Sequence, residues 1–282
     1  MKKFVFLYGT QKCGTTWLAR NLSSSSHVYQ AGSKEWRFFA WYFSSPRKLN
    51  YIDTGKKIKD DLRYTMRLEP DEFLQNQARI VHTDPTMSVL ADFTPSLGSL
   101  LTTENFRDLA DLFRSFQLEA RGMMFMRDPI ERSVSQLSML VDKAKLISNP
   151  RYQNWALTRF NCPEAEALDR LVDQNLEELT FRSRYDEVLE KISALDADIP
   201  SLVMTTDDLF STGGLDIVTG FLEIPKVTVD PDPGNARKHV SISLETRRKI
   251  ARSLEPTYRY MEHYFGAKGF PKSWLPSLKF LE

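Results

Sequence analysis

The chain has 282 residues, 38 basic against 37 acidic, and a formal net charge of +1. That balance argues against a broad polyanion-binding surface and against nucleic acid as a partner, so any anion site has to be built locally. Two cysteines, Cys13 and Cys162, rule against a disulfide framework and point to a reducing, cytoplasmic setting. The apolar run after Lys3 is too short for the core of a secretion signal, and no stretch approaches a membrane span. The length suits one large α/β domain or two small ones, with a substantial core.

Taken in chain order, Phe4-Val5-Phe6-Leu7-Tyr8 predicts a short, fully buried strand that stops at Gly9. A polar loop follows, and after Gly14 a helical pattern begins with Thr15, Thr16, Trp17 and Leu18. Strand, glycine-bounded turn and helix N-terminus together form an anion cradle, because unpaired backbone N–H groups and the helix dipole converge there. Lys12 supplies a point charge inside the turn, and Thr15 and Thr16 supply hydroxyls. Gly9 and Gly14 have the separation of the nucleotide loop G-x-x-x-x-G-K-[ST], but Thr15 stands in the lysine position and the lysine is Lys12. Cys13 lies at the helix N-terminus, where a thiol pKa tends to fall, although a small loop filler is the blander reading.

Ser23 to Ser26 end this helix, and Val28 to Gln30 predict a second strand. Glu35 then follows Lys34 and precedes an aromatic run, Trp36 to Phe43. A carboxylate just past a strand end is placed for proton abstraction, with apolar neighbours raising its pKa and Lys34 opposing them. The aromatic run fits a sugar site, a lipid site or core equally. Residues 56–79 read as polar helices with few strong apolar faces, walls of an acceptor pocket. Ser88 to Phe93 predicts a strand running into Asp92-Phe93-Thr94-Pro95, at the ligand edge of a parallel sheet.

Glu104 to Phe116 carries a helical apolar face, and Gly122 to Met126 reads as a central parallel strand. That strand delivers Arg127-Asp128-Pro129, with Pro129 suited to a first helical turn and Ser135 eight positions after Arg127. A guanidinium at a strand tip and a hydroxyl on the following helix can both reach one phosphate. Residues 143–180 are polar and helical without a strand, an excursion over the site and a candidate lid. Phe181 to Tyr185 open a helix with Val188, Leu189 and Ile192 on one face. Pro200 to Thr205 predicts a last buried strand, followed by Asp207, Asp208, Leu209 and a helix over Ile217 to Leu222. Pro231 to Val240 is a Pro/Gly/Asn-containing loop with Arg237, Lys238 and His239, either an anion clamp or a solvated charge cluster. Closing helices run from Ser243 and Pro256 to Phe265-Gly266, with Trp274 and Phe280 as packing residues.

Three motifs carry a resemblance: K-x-G-T-T-W at 12–17, K-E-x-x-F-F at 34–39 and R-[DN]-P-x-x-R-x-x-S at 127–135. They resemble those of sulfotransferases that use PAPS (3′-phosphoadenosine 5′-phosphosulfate), closest in style to the carbohydrate and heparan-sulfate type. The resemblance implies one α/β domain over 1–282 with a mostly parallel sheet, PAPS as donor, PAP as product and no metal. It implies Lys12 at the leaving oxygen and Glu35 as base. Gly14, Thr15 and Thr16 would hold the 5′-phosphate, Arg127 and Ser135 the 3′-phosphate. Trp17 and Tyr185 would flank adenine, and Arg237 and Lys238 would close over the phosphate. There are departures: Asp92 replaces a glutamate, Phe93 stands where heparan-type enzymes have lysine, and His239 replaces a glycine. His82 and Asp92 stay open as alternative bases. The acceptor, a small molecule or carbohydrate, is left open. A small-molecule kinase and a non-catalytic adenosine-bisphosphate-binding protein are the rival readings.

Overall fold

Strand β1 (Lys2–Gly9) turns Phe4, Phe6 and Tyr8 to one face and Val5 and Leu7 to the other, all fully buried. A strand apolar on both faces belongs in the middle of a sheet covered on both sides. The computed structural model, which describes residues 1–32, 34–43, 70–146, 150–230, 232 and 240–281, places it there. The other strands are β2 (Val28–Tyr29), β3 (Val89–Asp92), β4 (Leu118–Met126) and β5 (Ser201–Thr205). Their order is β2-β3-β1-β4-β5 and every pairing is parallel. The fold is therefore α/β, a parallel five-stranded sheet with helices on both faces. Pairing of Phe6 with Asp92 and of Gly9 with Met124 brings the C-terminal ends of β3, β1 and β4 side by side.

Side-chain alternation divides the core into two layers. Leu118, Ala120, Met124 and Met126 of β4 join Phe4 and Phe6 on one face, while Met123 and Phe125 join Val5 and Leu7 on the other. Gly122 makes room for Tyr8, because a Cβ there would stand 2.0 Å from the tyrosine ring. The expectation of a fully buried last strand is corrected at β5. Ser201, Leu202 and Val203 are only half-buried because β5 is the sheet edge.

The helices are α1 (Thr15–Leu22), α2 (Phe38–Tyr42), α3 (Pro70–Thr83), α4 (Leu97–Leu100), α5 (Thr103–Ser115), α6 (Pro129–Leu146), α7 (Pro150–Gln153), α8 (Glu164–Thr180), α9 (Tyr185–Ser193), α10 (Thr206–Leu209), α11 (Gly214–Leu222), α12 (Leu244–Ser253), α13 (Glu255–Phe265) and α14 (Leu275–Leu278). The expectation for 56–79 lies outside the described residues up to 69. Beyond that, α3 has an apolar face after all: Phe73, Leu74, Ala78 and Val81 are buried in the core. Within 143–180, α8 buries Ala167, Leu168, Leu171, Val172 and Leu179 and joins the same core layer through Leu168, Leu171, Val172 and Leu179. Trp274 is fully buried among the rings of Tyr185, Tyr258, Phe265 and Phe270. No helix among the described residues is long and apolar enough to cross a membrane.

Candidate functional site

The tip of β1 and the start of α1 form a loop whose backbone twice enters the left-handed region, at Lys12 (φ 76°) and Gly14 (φ 77°). Gly14 tolerates this, and a Cβ there would also meet the Phe210 ring at 2.8 Å. Lys12 has a Cβ and is held in that conformation at a cost, a sign that its position matters more than local comfort. Gly14 precedes the first turn without a side-chain cap, which leaves the amides at the start of α1 pointing into the loop. Thr15 is buried and Thr16 exposed. Cys13 is fully buried, which pushes its thiol up to about 11 despite the charges of Arg132 and Arg127, so it is a packing residue.

From β2, the chain returns to the same end of the sheet and is latched to the tip of β3. The Phe93 amide donates to the Lys34 carbonyl (3.0 Å), the Trp36 amide to Asp92 Oδ1 (3.1 Å) and the Arg37 amide to Thr94 Oγ1 (2.9 Å). Asp92 Oδ1 also accepts from the Thr94 amide (3.0 Å) and hydroxyl (2.7 Å). This clasp fixes the backbone on both sides of Glu35, whose Oε1 lies 3.3 Å from Lys34 Nζ and whose Oε2 takes Arg37 Nε (3.1 Å) and Nη2 (2.8 Å). Partial burial alone would raise the Glu35 carboxyl. Hydrogen bonds from Arg37 and the charges of Lys34 and Arg37 outweigh it and hold the group below its ordinary range.

The two alternative bases fare differently. Asp92 is fully buried with Oδ2 unpartnered, and burial pushes its carboxyl up to about 6. It serves the clasp and is closed to an acceptor. His82, in the last turn of α3, lies at the opposite end of the strands, beside Val81 and Asp84, whose carbonyls take Lys2 Nζ at the start of β1. Its Nε2 pairs with the Phe116 carbonyl at 2.8 Å. Part of the aromatic run is core: Trp36, Phe38 and Phe39 are buried, Phe43 is half-buried against them and Tyr42 is exposed.

Because the folded Asp92 carboxyl sits at about 6, above the ordinary unfolded value of about 3.9, its contribution to stability is present at low pH and lost as pH rises through 6. Asp92→Asn keeps the acceptor oxygen of the clasp without a charge. Its unfolding free energy is expected to match wild type near pH 4 and exceed it at pH 8, by on the order of 2 kcal/mol. A gap between the two proteins that does not change with pH would defeat this assignment.

At the tip of β4, Asp128 caps α6 by accepting from the Glu131 amide (2.8 Å) and is itself anchored by Tyr258 Oη (2.9 Å) and Ser277 Oγ (3.0 Å). The closing helices thus hold the Arg127 turn in place. Arg127 is half-buried and Ser135 is 8% exposed, and neither side chain pairs with a described residue. Tyr185 is fully buried and donates to the Arg127 carbonyl (2.7 Å). The expected contact with adenine is corrected on this ground: no part of its ring is open, and it positions Arg127 instead. Trp17 is 5% exposed, its indole N–H donating to the Asp230 carbonyl (2.7 Å), with Phe210 edge-on at 5.0 Å and 49% exposed. Of the two rings, Phe210 offers the open face.

Arg237 and Lys238 lie outside the described residues. The described residues on either side of them are tied to α1 and α6: Asp230 to Trp17 and Asn21 of α1, and the Val240 amide to Ser138 Oγ of α6 (3.0 Å).

One residue of the 127–135 motif went unassigned in the sequence. Arg132 is fully buried, donating to the carbonyls of Gln11 (3.2 Å) and Leu179 (3.0 Å) and to Ser183 Oγ (3.0 Å), with Nη2 unpartnered. Burial lowers its pKa to about 10, and no carboxylate among the described residues answers it. A buried cation without a counter-charge is costly unless an anion arrives nearby. Arg132 is closed to a ligand, so the groups open to an anion at this end of the sheet are Arg127 and Ser135, both unpaired among the described residues.

No family model matches the chain, and no curated protein matches it. Among solved structures, the sulfotransferase from Alicyclobacillus acidocaldarius is similar over 98% of this chain and 99% of that one, at 17% identity and a TM-score of 0.59. The sulfotransferase domain from the curacin biosynthetic pathway aligns over 90% of this chain and 98% of its own, at 12% identity and a TM-score of 0.44. The sulfotransferase domain of the Synechococcus PCC 7002 olefin synthase aligns over 90% and 94%, at 15% identity and a TM-score of 0.45. The fold expected from the motifs is thus the fold of a solved sulfotransferase.

Proposed function

We propose that this protein is a sulfotransferase that moves the sulfuryl group of PAPS to a hydroxyl or amine of a small-molecule or carbohydrate acceptor. The observation that supports the reading is the adjacency of the β1 and β4 tips, which brings together two segments whose chemistry suits anions. Lys12 and the α1 amides stand at the end of β1, Arg127 at the end of β4 and Ser135 on α6 behind it, both unpaired among the described residues, with Glu35 latched at the end of β3. Likeness of fold to a solved sulfotransferase supports it.

In this reading Gly14, Thr15 and Thr16 hold the 5′-phosphate, while Arg127 and Ser135 hold the 3′-phosphate that separates PAPS from ATP. Phe210, beside Trp17, supplies a face for the base. Arg237 and Lys238 add charge from the loop that Asp230 and Val240 anchor. Glu35 takes the proton from the acceptor as the new oxygen–sulfur bond forms. The old bond from sulfur to the bridging oxygen breaks, and Lys12 stabilises the negative charge left on that oxygen. Nothing in this sequence of events calls for a metal. The unpaired thiols of Cys13 and Cys162 suit a cytoplasmic setting.

Calorimetric titration without magnesium tests the reading. Wild type is expected to bind PAP in preference to ADP. Arg127→Ala is expected to weaken PAP by about 10- to 100-fold, the worth of charge-assisted bonds to one phosphate, and to leave adenosine 5′-phosphate unchanged. Binding of ADP alone, or only with magnesium, would make the protein kinase-like and overturn the proposal.

A further inference from the structure

The ammonium of Lys34 sits in an unusual place. Its Nζ is 3.1 Å from Thr16 Oγ1 and 3.4 Å from Thr15 Oγ1, at the N-terminal turn of α1, and 3.3 Å from Glu35 Oε1. A helix N-terminus carries positive partial charge and repels a cation. The Arg37 guanidinium, on the far side of Glu35, is a like charge that also acts against the Lys34 ammonium. Lys34 is also largely desolvated, with its side chain only 22% exposed, and burial lowers its pKa against the opposing pull of Glu35. A lysine kept in such surroundings is stabilised most when an anion occupies the end of α1.

The neighbouring strand offers no cation of its own. Phe93, at the tip of β3, is fully buried and apolar, and its amide is bonded to the Lys34 carbonyl at 3.0 Å. The only side chain of that pair able to bring charge to the space between α1 and Glu35 is therefore Lys34. Its reach covers both sides of the transfer: the hydroxyls that would hold the donor's phosphate and the carboxylate that would take the acceptor's proton. The group between those two points is the sulfuryl group in flight.

Resting on the sulfotransferase reading, we propose that Lys34 is a further catalytic residue, a second cation that binds the non-bridging oxygens of the transferred sulfuryl group. Lys12 then answers charge on the leaving oxygen and Lys34 answers charge on the group that moves. PAPS carries those oxygens and PAP does not, so the two ligands separate this role from simple support of the loop.

The test is titration of wild type, Lys34→Met and Lys34→Arg with PAP and, separately, with PAPS, in the absence of any acceptor. Lys34→Met is expected to lose about tenfold in affinity for PAPS while keeping PAP within about threefold, one charge-assisted contact being removed. Lys34→Arg keeps the charge and is expected to keep the preference for PAPS. Equal losses for the two ligands in Lys34→Met, including loss of all binding, would mark a merely structural lysine and overturn the proposal, as would no loss for either. Wild type binding neither ligand would instead remove the functional reading, and this inference with it.

Discussion

Glu35→Gln is expected to lower turnover with PAPS by about 10²- to 10⁴-fold while leaving PAP affinity intact. The amide has the carboxylate's shape but cannot take the acceptor's proton at neutral pH. Neither alternative base substitutes for it: Asp92 is sealed in the clasp with Trp36 and Thr94, and His82 lies at the far end of the strands. Arg37 and Lys34 hold the Glu35 carboxyl below its usual range, so in the free enzyme the base stays ionised through neutral pH. Activity is lost only as pH falls through that depressed value, placing the acid limb of kcat/KM below the ordinary glutamate range of about 4.3. Transfer of label from radiolabelled PAPS to an acceptor found by screening measures both effects. Full turnover in Glu35→Gln would remove Glu35 as the base.

Lys12→Met is the second large effect. Loss of a preorganised charge at the leaving oxygen is expected to lower kcat by about 10²- to 10³-fold. Affinity for PAP should fall much less, because the α1 amides, Arg127 and Ser135 remain. Lys12→Gly gives an internal control, since its backbone adopts φ 76° without a Cβ. This variant is expected to be as slow as Lys12→Met yet more stable than wild type, by on the order of 1 kcal/mol. Thermal melts and single-turnover rates on the two variants separate the strain from the chemistry. A Lys12→Met enzyme of near-normal kcat would show that the charge on the leaving oxygen is met elsewhere.

The strength of both effects follows from how the site is supported. Glu35 is held through main-chain bonds on either side of it, not through its own side chain alone. Arg127 is held through its carbonyl by Tyr185 and through Asp128 by Tyr258 and Ser277. Residues far apart in the chain therefore position Glu35 and Arg127, and the closing helices are part of that support.

Local pattern determined much of this protein. The β1-loop-α1 unit, the buried β4 strand and the Arg127-to-Ser135 spacing are each set by neighbours within about ten residues, where strand period, helix signals and glycine geometry act directly. The parallel sheet followed from apolar strands separated by helices. Tertiary structure alone decided which aromatic and charged residues face the site. Trp36, Phe38 and Phe39 read equally as binding surface or core, and packing against Phe4, Phe73 and Phe113 made them core. Tyr185 fits an adenine contact by its place in the chain, yet its burial makes it a support for Arg127. In the sequence Lys34 had only its neighbour Glu35 as a partner and Arg132 had no role, because their other partners, Thr15, Thr16, Gln11, Leu179 and Ser183, lie between 18 and 121 residues away. Pattern within a segment reports which face is apolar; which charges meet across segments depends on strand order and register, and these exist only once the sheet has formed.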